Sequence, residues 1–294
     1  MKTAALPSFS YAAKAYCLLT KPGIIMGNVM TTAGGFALAS KGHFDILLFM
    51  ATLLGISFVI GSACVFNNYI DRFADQLMTR TQNRPLAQGS ISVQGAIVFG
   101  LLLGVAGACI LAFFTNLLTV AMALMGLAVY VGLYSFSKYR SIHGTLIGSV
   151  AGALPPVVGY CAVSNQLDAG GWILFAMIAL WQMPHFFAIA IYRMEDYAKA
   201  SIPVLPIVRG IKTAKVHMLS YILAFLGVSA LLAVFGYAGW GYLILSVSLS
   251  LVWIALCARG FKCSDDRQWA RQMFIFSLII VTAQCLAIPF SRGA

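Results

Sequence analysis

A run of polar residues follows the second long apolar segment of the chain, and its composition suits a metal ion. Asn68, Asp71 and Asp75 are spaced three and four apart, so on a helix their side chains share one face. Carboxylate and amide oxygens are ligands that hard cations such as Mg²⁺ prefer. The chain has only eight acidic residues, so two on one face indicate a functional site rather than a solvated helix end.

Three arginines lie close behind these acids, at positions 72, 80 and 84. Guanidinium groups bind phosphate oxygens through paired, charge-assisted hydrogen bonds. The combined pattern predicts a site for a metal–diphosphate at a membrane surface. Asn67 points about 100° away from Asn68 on an ideal helix, so we leave it outside the predicted ligand set.

A second polar group covers residues 192–199. Asp196 is a candidate metal ligand there, and Arg193 and Lys199 are candidate phosphate contacts. The other interpretation is an acidic pair that caps a helix or faces water. Lys138 follows the aromatic run at 134–136, where it would bind a diphosphate or anchor the helix end at the membrane border.

His185 lies inside an apolar segment, in the sequence Trp-Gln-Met-Pro-His. Positions 185, 192 and 196 are spaced seven and four apart, so on a helix they share a face. An imidazole at that depth could ligate iron or transfer a proton. It could also simply pack with a hydrogen bond, and the sequence leaves all three roles open.

The composition predicts a membrane protein, since 61% of the residues are hydrophobic and 9% are charged. We expect an all-α polytopic fold with nine transmembrane helices in one bundle, forming a single domain over residues 1–294. The predicted spans are 22–40, 46–66, 94–114, 117–136, 143–163, 171–191, 215–235, 239–257 and 271–290.

The basic residues predict the orientation of this bundle. With nine spans, 17 of the 19 Lys and Arg fall on one side, and only Lys41 and Arg292 fall on the other. The positive-inside rule makes the first side cytoplasmic, with a cytoplasmic N-terminus and a periplasmic C-terminus. The net charge of +11 is then a topology signal, which argues against nucleic acid as a partner. The short N-terminus lacks an Arg-rich presequence, so we expect the bacterial inner membrane.

Several segments resemble the UbiA superfamily of intramembrane prenyltransferases, and within it the heme-modifying branch, the heme O synthases. Two departures from the superfamily pattern favour that branch: the first motif begins Asn-Asn rather than Asn-Asp, and the second acidic group lacks a DxxxD. The segments that carry the resemblance are 20–24, 67–85, 148–159, 181–185 and 196–206.

The resemblance implies a UbiA-like bundle with a central cavity open to the cytoplasmic side. It also implies an activity: the farnesyl group of farnesyl diphosphate is transferred to a vinyl group of heme b, and addition of water gives heme O. Mg²⁺ is the implied cofactor. Implied partners are membrane lipid and the proteins of the heme pathway or of terminal-oxidase assembly.

The predicted site residues combine these observations. As metal ligands and catalytic groups we assign Asn68, Asp71, Asp75 and Asp196, with His185 as a further catalytic candidate. As substrate-binding residues we assign Lys21, Asn28, Arg72, Arg80, Asn83, Arg84, Lys138, Tyr192, Arg193 and Lys199.

Three other functions are weighed against this one. A related prenyltransferase with an aromatic quinone-precursor acceptor is the nearest, but the Trp-Gln-Met-Pro-His segment and the missing DxxxD argue against it. In an ion-coupled transporter, acids should mark a path across the bilayer rather than cluster at one border. A heme carrier would not need a diphosphate site.

Overall fold

A computed structural model describes residues 9–291, and in that range the chain is helical with no β-strand. Short π and 3₁₀ stretches lie at Val129–Tyr134, Gly260–Lys262 and Ile288–Phe290. The α-helices are α1 (Phe9–Leu19), α2 (Pro22–Ser40), α3 (Ile46–Leu77), α4 (Val93–Phe114), α5 (Leu117–Ala128), α6 (Ser135–Ser137), α7 (Gly144–Gly152), α8 (Leu154–Ser164), α9 (Ala169–Tyr192), α10 (Met194–Lys199), α11 (Leu205–Arg209), α12 (Ile211–Val234), α13 (Trp240–Arg259) and α14 (Asp266–Ala287).

Nine helical segments of the described chain are long and apolar enough to cross a membrane, as the sequence predicts. The fourth span, Leu117–Ser137, joins α5, the π-turn and α6. The fifth, Gly144–Ser164, consists of α7 and α8, with a break at Ala153. The break precedes Pro155 and Pro156, because proline has no N–H to donate and its ring crowds the preceding turn.

The helix that contains the second predicted span extends beyond the span. The apolar run ends near residue 66, but α3 continues as one 32-residue helix to Leu77. Hydropathy reports how much of a helix can lie in hydrocarbon, and it does not report where the backbone hydrogen bonds stop. The acidic motif is therefore part of a continuous helix. The predicted loop 192–214 likewise contains α10 and α11.

Residues 78–92, 138–143 and 193–210 connect helices at one end of the bundle, which we call the polar end. At this end α3, the fourth span and α9 all finish. The largest apolar core lies where α9 packs against α12 and α14, and it includes Trp253, Met218 and Phe225.

Two glycines allow one pair of helices, α2 and α8, to meet at their backbones. A Cβ atom added at Gly159 of α8 would overlap the Thr32 carbonyl of α2, and one added at Gly35 would overlap the Pro156 carbonyl. Such close approach maximises van der Waals contact between helices in a membrane, where lipid supplies no hydrophobic driving force. The α2–α8 pair is thus fixed at backbone distance.

Gly144, Gly148 and Gly152 form a glycine ridge on the fifth span, and this ridge serves two purposes. Gly148 packs against the ring of Tyr134, and Gly152 against the amide of Gln182, so that neither position has room for a Cβ. Gly144, Gly148 and Gly152 also line the cavity described below. The ridge therefore provides both close packing and space for a ligand.

We predict that Gly159→Ala destabilises the fold, whereas Gly227→Ala does not. The added methyl must separate α2 from α8, and overpacking of this kind costs about 1–3 kcal/mol. Gly227 is also helical, but no atom lies within 4 Å of the position that an added methyl group would take, so the same change there meets no obstacle. Thermal unfolding of the two purified variants in detergent checks this, and equal midpoints would contradict it.

Candidate active site

A cavity of about 530 Å³ runs from the polar end into the centre of the bundle, between α2, α3, the fourth and fifth spans and α9. Its volume falls in the range of small-molecule sites. The deeper wall is apolar, with Ile56, Val59, Met122 and Val158. The wall near the polar end carries the charged groups Lys21, Asp71, Asp75, Arg80, Arg84 and Lys138.

Asp71 is paired on both carboxylate oxygens. Lys138 Nζ donates to Oδ2 at 2.5 Å, and the Tyr139 hydroxyl donates to Oδ1 at 2.8 Å. Burial, reinforced by the charge of Asp71, raises the pKa of the Tyr139 hydroxyl, so it stays protonated and donates. The end of the fourth span is thereby held to α3.

Asp75, whose side chain is 2% exposed, is paired with the loop that follows α3. Arg84 Nη1 lies 2.9 Å from Oδ1 and 2.8 Å from Oδ2. The Thr81 hydroxyl donates to the Asp75 backbone carbonyl at 3.1 Å. Together these bonds fold residues 78–84 back over the helix end.

Asn67 is a cavity residue that our sequence reasoning missed. Its Oδ1 accepts a hydrogen bond from Lys21 Nζ at 2.5 Å, and its Nδ2 donates to Ser135 Oγ at 3.2 Å. Positions 67, 71 and 75 are spaced by four, so they also share a helix face. That spacing is a signal in the sequence, and it identifies Asn67 as a neighbour of the two aspartates.

Asn68, a predicted metal ligand, does not line the cavity. Its Nδ2 donates to the Leu19 carbonyl at 2.7 Å, at the end of α1. That carbonyl lacks an intrahelical partner, and the amide satisfies it. Asn68 therefore holds α1 against α3.

Asp196 also lies off the cavity wall. Its Oδ1 accepts from the Thr79 backbone N–H at 3.1 Å, and Lys199 Nζ lies 3.4 Å from the Thr79 hydroxyl. The second acidic group thus ties α10 to the loop after α3. The neighbouring Tyr197 does line the cavity, and burial raises the pKa of its hydroxyl.

The remaining predicted residues divide into two sets. Lys21, Asn28, Arg80, Arg84, Lys138 and His185 line the cavity. Arg72, Asn83, Tyr192 and Arg193 do not, and each has another contact. Arg72 lies over the rings of Tyr69 and Phe73, Asn83 accepts from Gln88, and Arg193 lies over Tyr192.

Comparison with known proteins places this arrangement in a family. Residues 28–279 match the UbiA prenyltransferase family. The chain belongs to that family. It is 57% identical to a protein named protoheme IX farnesyltransferase from Protochlamydia amoebophila (strain UWE25), over 94% of this chain and 97% of the relative.

Solved structures show the same fold at low sequence identity. A digeranylgeranylglyceryl phosphate synthase aligns with a TM-score of 0.78 at 22% identity, covering 95% of this chain and 97% of that one. A UbiA homolog from Archaeoglobus fulgidus bound to GPP and Mg²⁺ aligns with a TM-score of 0.68 at 15% identity, covering 94% and 99%. This UbiA family member is therefore a multi-pass membrane protein with the prenyltransferase fold.

The oxygen donors of the cavity wall suit a hard cation. The described residues contain no cluster of three or more His, Cys, Asp and Glu side chains placed to hold a metal. The donor set here is instead two carboxylates and one amide, from Asp71, Asp75 and Asn67 of a single helix face. All are oxygen ligands, which Mg²⁺ prefers, and Mg²⁺ is commonly bound by one or two carboxylates together with substrate phosphates.

The charge of the wall suits an anion as well. Four cationic side chains, Lys21, Arg80, Arg84 and Lys138, surround two carboxylates. The acids neutralise half of this charge. An excess of positive charge in a partly enclosed site concentrates anionic ligands.

We predict that Arg84→Gln destabilises the protein by about 3 kcal/mol, because it leaves the buried Asp75 carboxylate without its partner. Arg140→Gln is the matched control, since Arg140 is exposed and makes no ion pair within residues 9–291. Denaturant unfolding in mixed micelles measures both. If adding Asp75→Asn does not restore part of the loss, the ion pair is not its cause.

Proposed function

We propose that the protein transfers the farnesyl group of farnesyl diphosphate to a vinyl group of heme b, with addition of water, giving heme O. The observation that carries this proposal is the 57% identity to a protoheme IX farnesyltransferase along nearly the full length of both chains. The cavity supports it, since it joins a charged wall at the polar end to an apolar interior.

The charged wall would recognise the diphosphate by exchange of partners. Lys138 and Arg84 now donate to Asp71 and Asp75. If Asn67, Asp71 and Asp75 held Mg²⁺, the ammonium of Lys138 and the guanidinium of Arg84 would be free to donate to phosphate oxygens instead. Bound Mg²⁺ supplies neutralisation of charge on the diphosphate leaving group. Lys138, Arg84 and Lys21 add hydrogen-bond donors aimed at the same developing charge.

The interior would protect the allylic cation. Tyr130 and Tyr134 both line the cavity, with ring centroids 5.2 Å apart and planes 22° from parallel. Aromatic faces stabilise a cation electrostatically, and they do so best where water is excluded. The apolar wall beyond them, with Ile56 and Val59, suits the farnesyl chain. There the bond between the allylic carbon and the diphosphate oxygen would break, with diphosphate leaving, and the terminal vinyl carbon would bond to the allylic carbon. Water would then add to the resulting cation at the other vinyl carbon and lose a proton.

Asn68 and Asp196 have positioning roles in this proposal. Asn68 holds α1, and with it the chain leading to Lys21, while Asp196 fixes the loop that bears Arg80 and Arg84. The split of 17 to 2 basic residues supports a cytoplasmic polar end in a bacterial inner membrane. Farnesyl diphosphate, a charged and soluble headgroup on an apolar tail, would then enter from the cytoplasm.

The test is an assay of purified protein in lipid with farnesyl diphosphate, heme b and Mg²⁺, with extracted hemes read by mass spectrometry. A farnesylated, hydrated heme that requires metal is the expected product. Prenylation of an aromatic acid and no heme product would move the protein to the quinone-precursor branch. Absence of both products from folded protein would overturn the proposal.

We predict that Asp71→Asn lowers kcat/KM by about 100-fold or more, since a pre-positioned charged group at the reacting diphosphate is removed. The variant keeps the shape of the side chain. Glu195→Gln, a change of the same kind at an exposed acid outside the cavity, should leave turnover near the wild-type value. Substantial heme O from Asp71→Asn would refute the role of this carboxylate.

We also predict that kcat/KM falls at alkaline pH because Lys21 loses its charge. Burial lowers the pKa of its ammonium from an ordinary value of 10.5 to about 8, so its charge is present below that pH and is lost above it. The kcat/KM for farnesyl diphosphate, which reports the free enzyme, should therefore fall as the pH rises through about 8. Lys21→Arg keeps its charge, so its profile should stay flat to higher pH. Superimposable profiles would contradict the assignment.

A further inference from the structure

His185 lies on the cavity wall, in α9, and its imidazole is held by a residue of α14. Its Nδ1 lies 2.7 Å from the Ser277 hydroxyl oxygen. Ser277 is fully buried and lies 92 residues further along the chain. The direction of this hydrogen bond decides which ring nitrogen of His185 carries the proton.

The serine hydroxyl has one hydrogen, and it is already used. Ser277 Oγ donates to the Phe274 backbone carbonyl at 2.6 Å. Its oxygen can therefore only accept from the imidazole, so the proton of neutral His185 lies on Nδ1. Nε2 is then the nitrogen with the free electron pair.

The ring is also fixed in orientation. Trp181, one helical turn earlier, stacks on it with centroids 4.8 Å apart and planes 25° from parallel. The Trp181 indole N–H donates to the Ser277 backbone carbonyl at 2.7 Å. Phe274 approaches the imidazole as well, at 5.1 Å between centroids. Of the aromatic neighbours of the ring, Trp181 bonds to α14 and Phe274 belongs to it.

Nε2 has no hydrogen-bond partner among residues 9–291, although His185 lines the cavity. A neutral, pre-oriented imidazole with a free Nε2 electron pair is the usual form of a metal-ligating histidine, whose other N–H donates to a second residue.

We propose that His185 Nε2 binds the iron of the heme b acceptor, and that Ser277 is a positioning residue that fixes the tautomer and orientation of the imidazole. This inference rests on the proposed function. Ligation at this depth of α9 would anchor the macrocycle in the apolar part of the cavity. A porphyrin lacking iron would lose that anchor while keeping both vinyl groups.

The first test measures heme binding with no farnesyl diphosphate present, so that catalysis plays no part. Heme b is added to wild-type protein in nanodiscs and followed by absorbance and by resonance Raman spectroscopy of the reduced complex. We expect an iron–nitrogen stretching band from histidine ligation. His185→Ala should lose the band, and added imidazole should restore an iron–nitrogen bond.

Ser277→Ala tests the positioning role of Ser277, and it still tests the proposal if His185→Ala does not fold. The Nδ1–H donation raises the basicity of Nε2, and loss of such a partner typically weakens metal affinity about 10-fold or more. We therefore expect a weaker heme affinity and a lower-frequency iron–nitrogen band. Ser250→Ala is the matched control, because Ser250 is also fully buried but its hydroxyl has no partner among the described residues; its heme spectrum should equal the wild type.

The second test compares KM for heme b with KM for metal-free protoporphyrin IX. Wild-type protein should prefer heme, and His185→Ala should lose that preference. Wild-type spectra and an unchanged preference in His185→Ala would overturn the inference while farnesylation of heme by the wild type still supported the proposed function. No heme binding and no farnesylated heme from wild-type protein would instead overturn the proposed function itself.

Discussion

The structure depends on how two ionised carboxylates are kept at the end of an apolar helix. Moving an unpaired carboxylate out of water costs several kcal/mol even after the protein relaxes. Asp71 and Asp75 avoid that cost by pairing with bases from other segments, Lys138 of the fourth span's end and Arg84 of the following loop. Each ion pair therefore also joins two parts of the chain. The two acids of α3 hold the loop with Arg84 and the end of the fourth span with Lys138 beside the cavity.

The same pairing allows the bases of the site to exchange one partner for another. A base that neutralises an acid in one state can donate to a phosphate in another, provided that a cation takes its place at the carboxylate. Apolar packing offers no such substitution, since a separated contact has only lipid or water to replace it. Charged groups are accordingly confined to one end of the cavity, and the part that must stay dry is lined by aliphatic and aromatic side chains. A prenyltransferase of this family needs both environments within one continuous space.

The sequence predicts the nine spans because hydropathy over twenty residues is a local property. It does not show contacts between residues that are distant along the chain. The spacing of three from Asn68 to Asp71 favours Asn68 as the neighbour of Asp71, but Asn68 Nδ2 donates to the Leu19 carbonyl, and Asn67 is the asparagine that lines the cavity. Asp196 is turned away from the cavity by the Thr79 N–H, which lies 117 residues earlier.

The role of His185 is left open by the sequence for the same reason. The pattern of α9 shows a histidine on a face shared with later polar residues, but its tautomer depends on Ser277 and Phe274 of α14. Nothing in the spacing of α9 could indicate these residues. Tyr139 is a similar case, since its partner Asp71 lies 68 residues away.

The π-turn in the fourth span has a consequence for how this site is built. The Ser135 N–H donates to the Tyr130 carbonyl five residues back, whereas an α-helical N–H donates four residues back, so this stretch accommodates one extra residue. One residue corresponds to about 100° of rotation. The chain after the turn, which carries Lys138, therefore faces a direction set independently of the face with which α5 packs in the bundle. A wide turn of this kind lets the two ends of one membrane helix present different faces. One end packs against lipid and neighbouring helices, and the other directs its charged side chain toward the site.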